Sequence, residues 1–503
     1  MELVYGDVNM ETLVCMPCAQ AEVEGELPLP EGRRASDTEV LSANGAVTVS
    51  KCAAAEGAVV IEGRVRAELV CRDASFVPEE GGNAAGALFA FSSTAAFRYV
   101  MDAPNVKEGM TATAQAAIVE LNVEQGGRLA FSSTVELNAV VTRDAPVHTL
   151  NGVRGITAEF KNVSHVSLAQ TLIGCEEVRV REEIACRGVT RVLCAYAQAS
   201  PRSVKAGGDT AIVDATGYVT ALIENEAGHV EPFATQFPLT LELALDERPR
   251  GEVVAEIAAM GAEAYVLGEG IICFELSLRV KVFDICAQES NLPGDAYVPG
   301  AAMASACESV ELMLRGGHVQ MRCNVDEKLQ IPEGMPPLSR VVWCAARPLV
   351  TSATAECGRL CVEGLLAVRA VYETAECAAY AFGVQVPFAC ETSCLPWCCG
   401  AQASAKVLCA GLVPSGGALV FSAVLEIDAV PYCRKSTCYV AGLEECEAKE
   451  GRRSLILCYA GEGETLFDIG RRYGLSRAQL EAANPGVKEE LTEGQKLVFI
   501  GRA

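Results

Sequence analysis

The feature that most limits what this chain can fold into is an internal repeat, carried by segments of strand-like alternation and found three times before residue 450. Val60-Ile-Glu-Gly63-Arg-Val65-Arg-Ala67 recurs as Cys361-Val-Glu-Gly364-Leu-Leu366-Ala-Val368, and Ala215-Thr-Gly217-Tyr-Val219-Thr-Ala221 is a more diverged middle copy. Each copy has a second strand-like segment further on: Leu129-Ala-Phe131 to Leu137, Ile271 to Phe274 to Leu278, and Leu419-Val-Phe421 to Ile427. The interval from glycine to phenylalanine is 57 residues in both the second and third copies, which makes chance alignment a poor explanation. Pro30-Glu31-Gly32 returns as Pro332-Glu333-Gly334, and the joints Asp144-Ala-Pro-Val147 and Asp295-Ala-Tyr-Val-Pro299 echo each other.

Within a copy the apolar residues fall at every second position, as in Val59-Val60-Ile61-Glu62-Gly63-Arg64-Val65-Arg66-Ala67, and the runs break at Gly, Pro, Asn and Asp. Period two with such breaks is the pattern of half-buried antiparallel strands. The reading is therefore mainly β: three tandem antiparallel units, sandwich-like or barrel-like, at 1–143, 144–286 and 287–440. A short polar run, Lys449 to Arg453, would tether the C-terminal segment to them.

The last fifty residues change character. Leu455-Ile-Leu457 gives a short apolar run, Gly461 and Gly463 permit a turn, and Thr465 is placed to cap a helix with Leu466, Ile469 and Tyr473 on its apolar face. Gly474 ends that helix. Ser476 caps a second one carrying Leu480 and Ala483, which stops at Asn484-Pro485 because proline disfavours helix at the residue before it. Leu497 to Ile500 supplies a closing strand, so the order is strand, helix, helix, strand.

That order, with Gly463-Glu464-Thr465-Leu466 and Asn484-Pro485 in place, resembles a LysM module over residues 453–503. Glu464 stands where the family usually has aspartate. The resemblance implies a binding module whose groove runs between the first turn and the loop after the second helix: Gly463, Glu464, Thr465, Leu466, Phe467, Asn484 and Pro485. Leu466 and Asn484 each have a second reading, as builders of the fifty-residue fold; if Asn484 serves partner capture, Asn484→Ala is expected to weaken capture and leave the fold intact.

Composition removes several function classes. The formal charge of −24 argues against nucleic acid or an anionic membrane surface as the main partner. The absence of a long uninterrupted apolar run and of a basic-then-apolar N-terminal segment leads to the expectation of a cytoplasmic chain with no membrane insertion. The 24 cysteines are many for such a setting, but Cys71, Cys273, Cys361 and Cys409 occupy small-apolar positions of alternating strands. Free cysteine behaves there as a small hydrophobe, so mostly reduced thiols are expected.

Catalytic constellations are not found. There is no Gly-x-Ser-x-Gly elbow, phosphate loop, His-Glu-x-x-His or dinucleotide fingerprint. His148, His165, His229 and His318 are scattered singly, while Glu79-Glu80, Glu182-Glu183, Gly81-Gly82 and Gly207-Gly208 read as solvated faces and turns. Cys15-Met-Pro-Cys18 has the spacing of a redox or metal pair but lacks a second pair, and Cys390, Cys394, Cys398 and Cys399 are crowded and irregular. No metal, no cofactor and no enzymatic activity are expected.

Three β-rich repeats with "LPEG" or "IPEG" openings, a "VEG" strand, a "DAYVP" joint and one terminal LysM-like module resemble the SipL-type spore-coat morphogenetic proteins of clostridia, with their SPOCS repeats. The middle repeat departs from the pattern by lacking the Pro-Glu-Gly opening. The resemblance implies a scaffold on the mother-cell side of the forespore, docked through LysM to the coat basement ATPase, stage IV sporulation protein A, and to other coat proteins. The alternative is a peptidoglycan or cortex binder that holds N-acetylglucosamine chains through LysM.

Overall fold

A computed structural model describes residues 2–76, 87–268, 270–376, 378–415, 418–445 and 453–502. Glu79, Glu80, Gly81, Gly82 and tether residues 449–452 lie outside the described residues. Unit 1 contains β1 (Glu2–Cys15), β2 (Cys18–Glu26), β3 (Thr38–Ala55), β4 (Ala58–Asp73), β5 (Leu88–Asp102), β6 (Thr111–Gln125) and β7 (Leu129–Arg154). Unit 2 contains β8 (Glu159–Ala185), β9 (Val189–Gly207), β10 (Thr210–Asn225), β11 (Val230–Ala244), β12 (Glu252–Gly268) and β13 (Ile271–Tyr297). Unit 3 contains β14 (Met303–Arg315), β15 (Val319–Leu329), β16 (Arg340–Glu356), β17 (Arg359–Glu373), β18 (Ala379–Ser393), β19 (Gly400–Ser415) and β20 (Ala418–Glu445).

The units share one plan. A three-stranded antiparallel meander (β3–β4–β5, β9–β10–β11 or β16–β17–β18) packs over a part of one 11-stranded sheet to which all three units contribute. Unit 2 has one strand fewer because β8 runs unbroken where β1 and β2 are split at Met16-Pro17, and β14 and β15 at Gly316-Gly317-His318. Proline cannot supply a ladder donor and glycine weakens a strand interior, so the split follows from these residues.

Each sandwich has its own core, and the repeated residues build it. Phe131, Phe274 and Phe421 are fully buried, each inside its own unit's cluster. The repeated glycines lie directly opposite a phenylalanine of the next strand: Gly63 with Phe97, Gly217 with Phe237 and Gly364 with Phe388. A Cβ at Gly364 would sit 2.5 Å from the Phe388 ring and 2.3 Å from the Leu349 carbonyl oxygen. The ring therefore lies over bare backbone, as in the known rescue of strand glycines by aromatic partners. Gly364→Ala is expected to cost about 1–3 kcal/mol in urea unfolding; a variant as stable as the parent would mean that the strand moves aside for a methyl group.

The sequence-based cuts at 143/144, 286/287 and 440 all fall inside long strands. Residues 144–154 of β7 pair with β1, residues 287–297 of β13 pair with β8, and β20 carries on to Glu445 against β14. By pairing, each stretch after a cut belongs with the unit before it. The units are also not strung end to end. Thr12 pairs with Leu312 and Tyr297 with Ala304 across unit boundaries. Three apolar clusters draw on all three units: Leu150 with Ala296 and Val440; Met10 and Val147 with Leu292, Leu312 and Leu314; and Leu41, Val70, Leu222, Val342 and Trp343. The last cluster depends on bulges, since the pairing registers of β3, β9 and β16 slip at Leu41, Leu193 and Val342 and all three residues join it. A bulge re-aims side chains in this way.

Between the units lies a chamber of about 2050 Å³, walled by β3 and β6, β9 and β12, and β16 and β19. Its lining is rich in alanine, with Trp343, Tyr196 and Met10 among the larger residues.

The chain ends in a small α/β module: β21 (Arg453–Tyr459), α1 (Leu466–Tyr473), α2 (Arg477–Ala483) and β22 (Lys496–Arg502), with β21 and β22 antiparallel. Among the described residues, no helix is long and apolar enough to cross a membrane.

Candidate partner-docking site

The terminal module is built as its local sequence requires. Thr465 and Asp468 form a capping box at the start of α1, Ser476 and Gln479 form one at the start of α2, and Gly474 closes α1 in the left-handed conformation at φ 68°. Leu466, Ile469, Leu480, Leu497 and Phe499 meet in its core.

The seven residues nominated for the groove divide into distinct roles. Gly463 is an exposed turn residue at φ 72°, with open space around it, and Pro485 is also exposed. Glu464 accepts from the Gly461 amide at 2.9 Å and pairs with Arg472, and these partners hold its carboxyl below the usual range despite partial burial. Thr465 is the helix cap, and Leu466 is wholly buried in the module core. Asn484 is a brace: its Nδ2 donates to the carbonyls of Leu480 and Val498, and its Oδ1 accepts from the Val498 amide at 2.8 Å. Of the two roles open to Asn484, these three bonds favour the structural one, since they tie the end of α2 to β22. The turn and the later loop are stitched together as well, by Leu466 N to Glu489 O at 2.9 Å and Leu491 N to Glu464 O at 3.2 Å.

Phe467 faces away from that core and onto the body. Its ring meets Tyr297 edge-on at 5.0 Å, with Lys161 and Arg477 each 5.9 Å from its centre. Around it, Lys161 pairs with Asp468 at 3.0 Å, Arg477 with Glu159 at 2.8 Å, and Arg471 with Asp295. The Tyr297 hydroxyl donates to Leu475 O at 2.9 Å, and Gly300 N donates to Gly474 O at 3.0 Å. Gly470 is required here, because a Cβ would lie 2.2 Å from the Tyr297 hydroxyl. The Asp295-Ala-Tyr-Val-Pro299 joint is thus the seat of the module, and Phe467 is the anchor. The aromatic pair and the part-buried Arg477–Glu159 pair, in which Arg477 also donates to Phe160 O at 2.7 Å, hold the docking together. Phe467→Ala is expected to release the module from its seat while its own core persists, read as faster hydrogen exchange in 159–161 and 295–300 with protection of α1 retained.

Among the described residues nothing covers the opposite face of the module. Leu455, Leu457 and Tyr459 of β21 and Ile500 of β22 are 74, 52, 61 and 66% exposed. Leu455 pairs directly with Ile500, so these side chains form one apolar ladder while Cys458, Leu497 and Phe499 turn inward. Period-two alternation places the ladder on one face, but the helices that cover only the other face are needed to show which side stays open.

No family model, curated protein or solved structure matches this chain.

The chamber brings together ionisable groups that the sequence left scattered. His318 Nε2 lies 3.4 Å from Asp428 and 3.7 Å from Glu256, at the seam between units 2 and 3. Burial alone would lower its pKa, but the nearby carboxylates of Asp428, Glu256 and Glu426 outweigh burial and raise it. Asp428 is correspondingly lowered, against its own burial, by His318 and Lys406, while burial pushes the Glu256 carboxyl up. Among the described residues no hydrogen bond joins His318 to a hydroxyl or thiol, so the cluster has no nucleophile in place. His148 sits at the surface on Asp7, His165 is buried, and the His229 amide donates to Asn225 Oδ1.

The raised pKa of His318 is expected to make stability depend on pH. A histidine whose folded pKa is raised contributes stability that is complete below its unfolded value of about 6.5 and is lost as pH rises through the folded value. His318→Gln is therefore expected to flatten the fall in stability above pH 6.5 relative to the parent, measured as urea midpoints across pH 5.5–8.5.

The cysteines are all free among the described residues. Cys71 and Cys273 are buried, Cys361 and Cys409 half-buried, and Cys15 and Cys18 flank the Met16-Pro17 break with Cys18 exposed. No group of three or more ligand side chains suited to a metal occurs among the described residues.

Proposed function

We propose that the protein is a non-enzymatic assembly scaffold whose terminal, LysM-like module captures a protein partner through the open ladder of Leu455, Leu457, Tyr459 and Ile500. That ladder carries the reading. A flat apolar strip of this kind suits a complementary protein surface, where large apolar and tyrosine anchors concentrate binding energy. A glycan would instead want aromatic rings lining a groove, and Phe467 is already occupied by Tyr297. The resemblance to SipL-type coat proteins supplies the partner and place: the coat basement ATPase, stage IV sporulation protein A, on the forespore surface in the mother cell. Three units joined by a common sheet would act as a rigid platform, and several modest contacts on one platform gain from effective concentration.

The test uses the full chain, its Leu455→Glu/Ile500→Glu variant and its Gly463→Trp variant, each assayed against the purified ATPase and against purified peptidoglycan. The ladder variant is expected to lose the ATPase by at least tenfold while Gly463→Trp keeps it. Retention on peptidoglycan alone, abolished by Gly463→Trp, would reverse the assignment in favour of a glycan binder.

A further inference from the structure

Thirteen of the 24 cysteines fall in residues 303–445. The fold gathers several of them at the end of the β19–β20 ladder. Cys399 lies one step beyond the Gly400–Tyr432 pair, and its amide donates to Tyr432 O at 2.9 Å, so the ladder places it across from Cys433. Cys394 and Cys398 lie in the turn that precedes Cys399, where the Cys398 amide donates to Leu395 O at 3.0 Å. Cys399 is exposed, Cys433 is half-buried and Cys398 is buried. We propose that Cys399 and Cys433 form an oxidation site, a dithiol that closes to a disulfide when the protein meets a peroxide.

The chemistry follows from the difference in exposure. Burial and the neighbouring Cys399 push the Cys433 thiol up to about 11 and burial pushes Cys398 up to about 12, which keeps both protonated and slow toward oxidants. Cys399 is the group the oxidant reaches. The Cys399 thiol gives up its proton, its sulfur attacks one peroxide oxygen, the O–O bond breaks, and a sulfenic acid and hydroxide result, the hydroxide taking up that proton as water. The Cys433 sulfur then attacks the Cys399 sulfur, the S–OH bond breaks, and a second water leaves. The net change is two thiols and one hydrogen peroxide to one disulfide and two waters, the sulfurs losing two electrons and the peroxide gaining them. The closed bond would pin the open end of the β19–β20 ladder where Gly400 meets Tyr432.

The test is peroxide titration of the full-length chain under native conditions, followed by alkylation and peptide mass mapping, with Cys399→Ser and Cys394→Ser variants alongside. The expected result is a linked Cys399–Cys433 peptide pair, a mass lower by about 2 Da per bond and two fewer free thiols. The link should vanish in Cys399→Ser with Cys433 still alkylatable, and persist in Cys394→Ser. Cys399 over-oxidised to sulfinic acid beside a free Cys433, Cys399 linked to Cys394 or Cys398, or bonds between chains would each overturn the assignment.

Discussion

Replacing Lys406 by methionine is expected to cost about 3–5 kcal/mol, because it strands a buried carboxylate. Glu426 has no exposed surface; one of its oxygens faces Lys406 Nζ at 2.6 Å and the other accepts from the Ser200 hydroxyl. Lys406 also donates to Ile257 O at 2.9 Å, and Arg322 donates to Ser200 at 2.7 Å. Lys406, Glu426 and Arg322 come from unit 3, and Ser200 and Ile257 from unit 2, so the loss opens the seam between them. The pair need not be a net source of stability, since two buried charges are costly to dehydrate. For that reason the double variant Lys406→Met/Glu426→Leu is expected to recover most of the deficit. Urea unfolding followed by Trp343 and Trp397 fluorescence distinguishes the two variants; equal losses in single and double variants would show that the seam is held by shape rather than by charge.

Leu466→Ala is the second large effect, expected at about 2–5 kcal/mol and confined to the terminal module. Leu466 is wholly buried, starts α1 and has its amide tied to Glu489 O, so the side chain locks helix, turn and later loop together. A fifty-residue unit buries too little surface to absorb such a loss. The module is expected to become protease-sensitive after 453 while the β signal of the body is unchanged. A single cooperative transition shared by module and body would mean instead that the Tyr297–Phe467 seat couples the two into one folding unit.

These two residues mark different limits of what a sequence shows. Leu466 was legible because helix caps and 3.6-residue periodicity act within a few residues of each other: Thr465, Gly474 and Ser476 end the elements where local chemistry requires. The groove was less legible. Of its seven nominated residues, Leu466 and Asn484 hold the module together and Phe467 anchors it to the body. The Asp295-Ala-Tyr-Val-Pro299 joint was visible as a motif, but its role as the seat was not, because its partners lie more than 150 residues away. His318, Asp428 and Glu256 were scattered in the chain for the same reason.

By itself the sequence determined the strands, the threefold repetition and the small helical end, because alternation, turn glycines and caps are near-neighbour effects. The repeated glycine was legible as a motif, but the ring that covers it comes from the next strand and was placed by strand pairing. What only the tertiary structure decided is how the copies merge. Bulges at Leu41, Leu193 and Val342 turn side chains into a common core, long strands carry each unit past its apparent end, and the pairs Thr12–Leu312 and Tyr297–Ala304 join one unit to another. Such choices are made by burial and by backbone hydrogen bonds that edge strands would otherwise leave unmade, and both depend on segments brought together from far along the chain.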